Sequence, residues 1–437
     1  MSTICAISTP IGVGGISIIR MSGQEALEIA KKLFSPYHLK WNEIEPRKMY
    51  LGKVKTKNFS DQSMFVYFKA PNSYTGEDLV ELHLHGGYAL TMGVLNQCIE
   101  QGARLAEPGE FTKRGFLNGK LSLSSAEGII EMINAQSEAQ VNAGYKLLEG
   151  ALNKQCAAMQ DEITDIIAEL EAAIDYPEED LDTMALDEAK RRVEKFVKEL
   201  KKLKDTQNTA RFVKDGIKVA IAGKPNVGKS SLLNALIQYD RAIVTDIPGT
   251  TRDTIDEVYS YKGVNFIITD TAGLRQADDS VEKLGIERSY KSIKSADVVL
   301  FLIDNTYCEE DQKLLAQIDK KNIIIVKNKA DIDDATNNAD MLISAKSGKG
   351  IEELKEKIYN MFIDRKIISG GLMLTHTRHV AAINRAYNSL KSSLDADQPD
   401  LMAMDLKEAW QALGEITGTT VSEAIIDRIF EKFCLGK

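Results

Sequence analysis

The string GKPNVGKS, Gly223 to Ser230, sits between the apolar run IKVAIA and the helical stripe SLLNALI. A G-x-x-x-x-G-K-S loop in that setting turns backbone N–H groups inward around a phosphate, at the N-terminus of the helix that follows. Strand, tight loop and helix in that order require a buried strand, which needs neighbours on both sides. The chain supplies them in VNFIITD, DVVLFLID and NIIIVKN, apolar runs of strand length separated by helical segments. Their spacing is that of βα units around a mainly parallel sheet, placed over residues 213–370.

Further motifs, in order, say what the loop holds. Asn226, Val227, Gly228, Lys229, Ser230 and Ser231 line the phosphates, with Lys229 reaching the β and γ groups and Ser230 ligating magnesium. NKAD offers Asn328, Lys329 and Asp331 to a base; Asp331 can accept from guanine N1–H and the 2-amino group, whereas adenine offers neither. SAK adds Ser344, Ala345 and Lys346 beside it. TDIPGTTRDT contributes Thr245, Asp246, Ile247, Pro248, Gly249, Thr250 and Thr251, and one of the last two threonines completes the magnesium shell. DTAG contributes Asp270, Thr271, Ala272 and Gly273: Asp270 holds a metal-bound water and the Gly273 N–H meets the γ-phosphate. Ras-type enzymes follow such a glycine with a glutamine that orients the attacking water. Here the next residue is Leu274, which cannot; Gln276 lies two residues further on, and Arg252 and Arg275 are the nearby cations.

The flanks differ in texture. Residues 1–118 mix short alternating runs such as MFVYFKA and LVELHLHGG with glycine and proline, the pattern of a small α+β domain. Over 119–212 glycine and proline nearly vanish, and Val193, Phe196, Val197, Leu200 and Leu203 fall on one helical face. After SGG near 370, which reads as a hinge, helical stripes return with Leu406, Ala409, Trp410 and Leu413, then Ile425, Ile426, Ile429, Phe430 and Phe433. Stripes on both sides of the α/β zone place it as an insertion in one helical domain built from 119–212 and 371–437. With 55 basic against 64 acidic residues, the chain gives no general reason to bind polyphosphate backbones. The run KRRVEKFVKELKKLK reads as a solvated helix face, with an RNA contact as the alternative. Five scattered cysteines without CxxC spacing, and no signal peptide or membrane-length apolar run, point to a reducing cytoplasm. His83 and His85 share a strand face without an evident third ligand and read as structural.

GKPNVGKSS, DIPGTTRD, DTAGLR with VEKLGIERS, the N-terminal PNSYTGED and PGEFTKRGFLNGKL, and the terminal FCLGK make the chain resemble the MnmE (TrmE) family of tRNA-modification GTPases over essentially its whole length. The resemblance implies a multidomain α/β and α+β fold: an N-terminal α+β folate-binding and dimerisation domain, a helical bundle domain, and an inserted Ras-like P-loop GTPase domain. It implies a potassium ion beside the loop in place of an arginine finger, held by Asn226 and carbonyls of Thr245, Ile247 and Thr250, which makes Thr251 the magnesium threonine. Glu282 would orient the water through a second one. A tetrahydrofolate derivative, 5,10-methylene- or 5-formyl-, would meet Arg20, Glu81, Lys120 and Lys437, with Cys434 important for modification in a role the sequence leaves open. Leu435 stands where the family more often has isoleucine, a swap that conserves volume. The implied activity is potassium-stimulated GTP hydrolysis by a cytoplasmic homodimer. It acts with an FAD-dependent MnmG (GidA)-type protein on C5 of the wobble uridine of certain tRNAs. The alternative is a ribosome-assembly GTPase that docks on RNA; that reading expects a KH-like GxxG domain or a basic tail, and neither stands in the sequence.

Overall fold

The computed structural model describes residues 2–175, 181–238, 256–269, 292–303, 308–316, 318, 322–332, 339–370, 372–434 and 436–437. The chain forms two compact units, one of Met1–Ile130, Leu147–Glu169 and Leu406–Lys437, the other of Glu131–Lys146 and Leu170–Asp405.

In the first unit, strands β1 (Ile4–Ile7), β2 (Gly14–Ser22), β3 (Phe34–Pro36), β4 (Met49–Lys55), β5 (Ser60–Phe68), β6 (Leu79–Gly86) and β7 (Arg104–Leu105) form a sheet of order β3-β4-β5-β6-β2-β1-β7. Alternation decides its faces. Ile19 and Met21 of β2, Phe65 of β5 and Leu82 of β6 turn inward and pack with Ile29 and Leu33 of α1 (Ala26–Leu33) and Val94 of α2 (Tyr88–Glu100). The residues between them face the other way. Register sets Arg20 opposite Glu81 and Ile18 opposite His83, with Met64 opposite His83 and Leu51 opposite Met64 on the next strands. Helix α3 (Glu110–Leu117) and the start of α4 (Leu123–Asn134) follow.

The second unit holds the α/β zone. Helices α5 (Glu138–Leu148), α6 (Ala151–Asp175), whose residues up to Glu169 belong to the first unit, α7 (Leu181–Asp205) and α8 (Gln207–Asp215) precede β8 (Ile217–Gly223), which is followed by α9 (Lys229–Gln238). Val193, Phe196, Leu200 and Leu203 of α7 are buried, as its apolar period requires, and Val197 is half-buried. Strands β9 (Asp256–Tyr261), β10 (Val264–Thr269), β11 (Val298–Ile303), β12 (Ile323–Lys327) and β13 (Met341–Leu342) join β8 in the order β13-β12-β11-β8-β10-β9. Every pair is parallel except β9 with β10. Strand β9 forms no apolar run because Asp256, Glu257 and Ser260 interrupt it, as an edge strand allows. Ala139 and Ala143 of α5 enter the same core as Val219 of β8, Phe266 of β10 and Leu300 of β11.

Helices α10 (Glu309–Ala316), α11 (Ile351–Phe362), α12 (Arg365–Gly370) and α13 (Thr377–Ser393) complete this part. Ser369 and Gly370 of the SGG segment are the last two residues of helix α12, behind Ile367 and Ile368, which pack on the core; Gly371 lies outside the described residues. Leu406, Ala409 and Leu413 of α14 (Pro399–Thr417) are fully buried. Leu406–Lys437 belong to the first unit, where Phe430, the last residue of α15 (Glu423–Phe430), and Phe433 pack with Leu123 and Ala126. Among the described residues no helix is long and apolar enough to cross a membrane.

Candidate functional site

The loop after β8 is shaped by three left-handed residues, Gly223 at φ 139°, Asn226 at 64° and Gly228 at 99°. At two of them a side chain could not fit. A Cβ on Gly223 would lie 2.4 Å from the Leu302 carbonyl oxygen, and one on Gly228 would lie 2.2 Å from Asn328 Nδ2. The loop is therefore pressed between β11 and the segment after β12. Lys229 opens α9, and its Nζ donates to the carbonyls of Gly223 and Lys224 at 2.8 and 2.7 Å, which hold the ammonium over the loop. Ser230 and Ser231 are exposed in the first turn of that helix, where backbone N–H groups favour anions. Val227 is buried.

Asn328 ties the loop to the base side. Its main-chain N–H donates to Ile303 O at 2.8 Å, its Nδ2 donates to Val227 O at 2.9 Å, and its Oδ1 accepts from the Ala345 N–H at 3.1 Å. Lys329 takes the left-handed conformation at φ 65°, turning the chain so that Asp331 comes beside Ser344. Ser344 Oγ donates to Asp331 Oδ1 at 2.6 Å, and that hydrogen bond is the main reason the carboxyl is held below its ordinary range. Asp331 is exposed and ionised at neutral pH, and Lys346 next to it is exposed.

Thr245, Asp246, Ile247, Pro248, Gly249, Thr250, Thr251, Asp270, Thr271, Ala272, Gly273 and Glu282 lie outside the described residues, as do Arg252, Arg275 and Gln276.

A second polar site lies on the sheet of the first unit. Arg20 Nε and Nη2 donate to Glu81 Oε1 at 2.9 and 2.7 Å, and Nη1 donates to the carbonyl of Gly436 at 3.3 Å. The rings of Tyr74 and Phe111 lie 5.5 and 5.8 Å from the guanidinium carbon, within cation–π range. Glu81 Oε2 is 3.2 Å from His83 Nε2. Burial alone would raise the Glu81 pKa, but the His83 hydrogen bond and the Arg20 charge outweigh it and hold the carboxyl below its ordinary value. The chain terminus is fastened here: Ser8 Oγ donates to Gly436 O at 3.1 Å, and the Gly109 N–H donates to Cys434 O at 3.4 Å. Gly436 takes φ 88°, and a Cβ there would lie 2.2 Å from Ile7 O. Lys437 is half-buried, and burial first, then the Arg20 charge, lowers its pKa. Cys434 is exposed.

The structure thus gathers Arg20, Glu81 and the terminal residues. Lys120 is exposed, and its chain passes 3.3 Å from where a Gly76 Cβ would stand rather than joining the Arg20–Glu81 pair. His83, Tyr74 and Phe111 are members of this site that sequence reading did not assign to it. The signal for His83 was its period-two spacing from Glu81; the two rings come from other segments and left none.

A phosphate loop between strand and helix, with an asparagine clasp and a serine-supported aspartate on the base side, defines a P-loop GTPase, a GTP-hydrolysing enzyme. A family model described as the GTP-binding protein TrmE N-terminus matches residues 3–120, and one described as the MnmE helical domain matches residues 123–434. The tRNA modification GTPase MnmE of Clostridioides difficile is 41% identical over 100% of this chain and 99% of its own length. Those of Desulforamulus reducens and Carboxydothermus hydrogenoformans are 41% and 40% identical over the same shares. Among solved structures, the G domain of the T. maritima FeoB iron transporter is 31% identical over 33% of this chain and 97% of its own, with a TM-score of 0.25, too low to bear on the fold. The chain belongs to the MnmE (TrmE) family of tRNA-modification GTPases.

Proposed function

We propose that the protein is a cytoplasmic homodimer whose potassium-stimulated GTP hydrolysis gates the addition of an aminomethyl-type group to C5 of the wobble uridine in certain tRNAs. In this reading the G domain, residues 213–370, is inserted between helical parts 119–212 and 371–437 and follows an N-terminal domain of 1–118. The carbon comes from a reduced folate, and an FAD-dependent partner of the MnmG type supplies the redox step. The observation that carries the reading beyond GTP turnover is Arg20, which ties Glu81 on β6 to the Gly436 carbonyl across 416 positions of sequence. A GTPase has no need of that assembly.

The donors suit the ions and ligand. Ser230 and Asn226 are exposed hard oxygen donors beside the phosphate loop, fitting magnesium and potassium respectively, with Thr251 and the carbonyls of Thr245, Ile247 and Thr250 completing the two shells. Bound there, the cations would neutralise charge on the phosphates, work for which an arginine finger is worth about 10³–10⁵ in rate. Asp270 and Gly273 would arrange the γ-phosphate side and Glu282 the water. On the folate side, Glu81 stays ionised and can accept from a pterin N–H edge, while Lys437 and Lys120 can meet carboxylates. Cys434 is exposed at the same end of the chain, open to the modification chemistry. The outward row Leu51 and Met64, 46% and 43% exposed, supports a second copy against this face of the sheet.

Calorimetric titration with 5-formyltetrahydrofolate tests the proposal. Glu81→Gln and Arg20→Ala should each weaken binding by about tenfold or more, the cost of a charged hydrogen bond, with GTP hydrolysis unchanged. Undiminished affinity in both variants would remove the folate role.

A further inference from the structure

Helix α7 carries a charge pattern that neither site uses. From Lys190 to Lys204 stand eight lysines and arginines and two glutamates, in a chain of formal net charge −9. Arg191, Lys195, Lys198 and Lys202 are exposed and recur at i, i+4, i+7 and i+11. At 3.6 residues per turn that confines them to a stripe about 60° wide, and at 1.5 Å per residue the stripe runs about 16 Å. It lies opposite the buried Val193, Phe196 and Leu200.

Local helix energetics explain only its end. Lys202 and Lys204 are in the last turn, where the helix dipole favours cations, and Lys204 packs over the Tyr387 ring at 4.7 Å. Arg191, Lys195 and Lys198 lie before that turn. Glu188 pairs with Arg191 and Glu194 with Lys198, the latter at 3.6 Å, but both pairs are exposed and screened by solvent. Among the described residues no carboxylate pairs with Lys195, Lys201 or Lys202. Like charges four apart repel by a few tenths of a kcal/mol, roughly what an opposite pair contributes. The like pairs Arg191/Lys195 and Lys198/Lys202 are offset by Asp187 and Glu194, four residues before Arg191 and Lys198, and by Glu199, four after Lys195, so the stripe neither gains nor loses much within its own helix.

We propose that this stripe is a docking ridge for the phosphate backbone of tRNA. The inference rests on the reading of tRNA as substrate and adds the surface that would hold it. A row of lysines and one arginine at steps of about 4.5–6 Å offers point charges to successive phosphates and no means of reading bases. An acidic protein partner is the weaker match, because protein interfaces are depleted of lysine and centre on aromatic or aliphatic anchors. No large hydrophobic side chain is exposed among the described residues of α7.

The test measures binding of an unmodified tRNA transcript by fluorescence anisotropy across a salt series, with the FAD-dependent partner absent and then present. The full-length protein is compared with Lys195→Glu/Lys198→Glu/Lys202→Glu and with the corresponding triple arginine variant. GTP hydrolysis is followed in parallel. The glutamate variant should bind about 10–100-fold more weakly, with a log–log salt slope shallower by about 2–3. The arginine variant should keep both affinity and slope, and all three proteins should hydrolyse GTP alike. Equal affinity and slope in wild type and glutamate variant would overturn the ridge while leaving tRNA as substrate. Unchanged tRNA binding with loss of the FAD-dependent partner would overturn it in favour of a protein surface. A wild-type protein that binds no tRNA even with the partner present would instead overturn the substrate reading, and the ridge with it.

Discussion

The phosphate loop and the Arg20 site are both polar clusters at strand ends or faces, yet the chain builds them by opposite means. In the loop, Gly223, Asn226, Gly228 and Lys229 lie within seven residues, and Lys229 bonds to carbonyls five and six positions away. At the second site, Arg20 meets Glu81 and Gly436 only after a sheet has fixed its register and the C-terminus has returned. The first is a local conformation that the residue types nearly dictate. The second is a tertiary product and should be the more easily dismantled. If so, damage to each site should leave the other intact.

The largest effect should come from Lys229→Ala. It removes the charge held over the loop by the Gly223 and Lys224 carbonyls, and GTP hydrolysis should fall by about 10³-fold, the upper range for losing one preorganised donor. Reduced folate affinity should not change. A matching loss of folate binding would show that the two sites are coupled even without turnover. Next, Asn226→Ala asks whether a cation beside the loop does the work of an arginine finger. Hydrolysis in potassium should exceed that in sodium at equal ionic strength for the wild type, and the excess should vanish in the variant. Equal rates in both salts for the wild type would turn attention to an external activator and to Arg252 and Arg275.

Gly436→Ala strikes the tertiary site. The new Cβ would meet the Ile7 carbonyl at 2.2 Å and sit at φ 88°, so the terminal residues must move. A cost of about 1 kcal/mol or more in docking the tail follows from the strained backbone alone. Folate binding should weaken while GTP hydrolysis holds. A normal folate affinity would mean that the tail is an accessory to the Arg20–Glu81 pair rather than part of the site.

Legibility followed the same divide. The strands IKVAIAG and VVLFLI stand out because both faces of a parallel sheet are buried, and the loop because its glycines and lysine follow one another. β9 did not, since an edge strand need not be apolar throughout. The SGG segment was read as a hinge from residue type alone; its Ser369 and Gly370 close helix α12, whose Ile367 and Ile368 pack on the core, a contact that residue type does not announce. Arg20, Glu81 and the terminal residues came from family resemblance; nothing in their local sequence says that they meet. Tyr74 and Phe111 show why, because a ring near a guanidinium leaves no trace in spacing when the two come from different segments.

The smallest expected effect concerns pH and isolates the Glu81 contribution. Its folded pKa lies below the unfolded value, so the folded state binds this proton less readily than the unfolded chain. The resulting stability is fully present above the ordinary carboxylate value of 4.5 and is lost as pH falls through the lowered folded value. Between neutrality and that ordinary value, thermal stability of the first unit should be insensitive to this group; below it, the wild type should lose stability faster than Glu81→Gln, which has no proton to gain there. His83 and Arg20 are the groups that depress the value, so Arg20→Ala should flatten the same acid limb without touching the response of the nucleotide site. Parallel acid limbs in wild type and Glu81→Gln would mean that the Arg20–Glu81 pair contributes nothing net, leaving the aromatic cradle and the Gly436 carbonyl to hold the guanidinium in place.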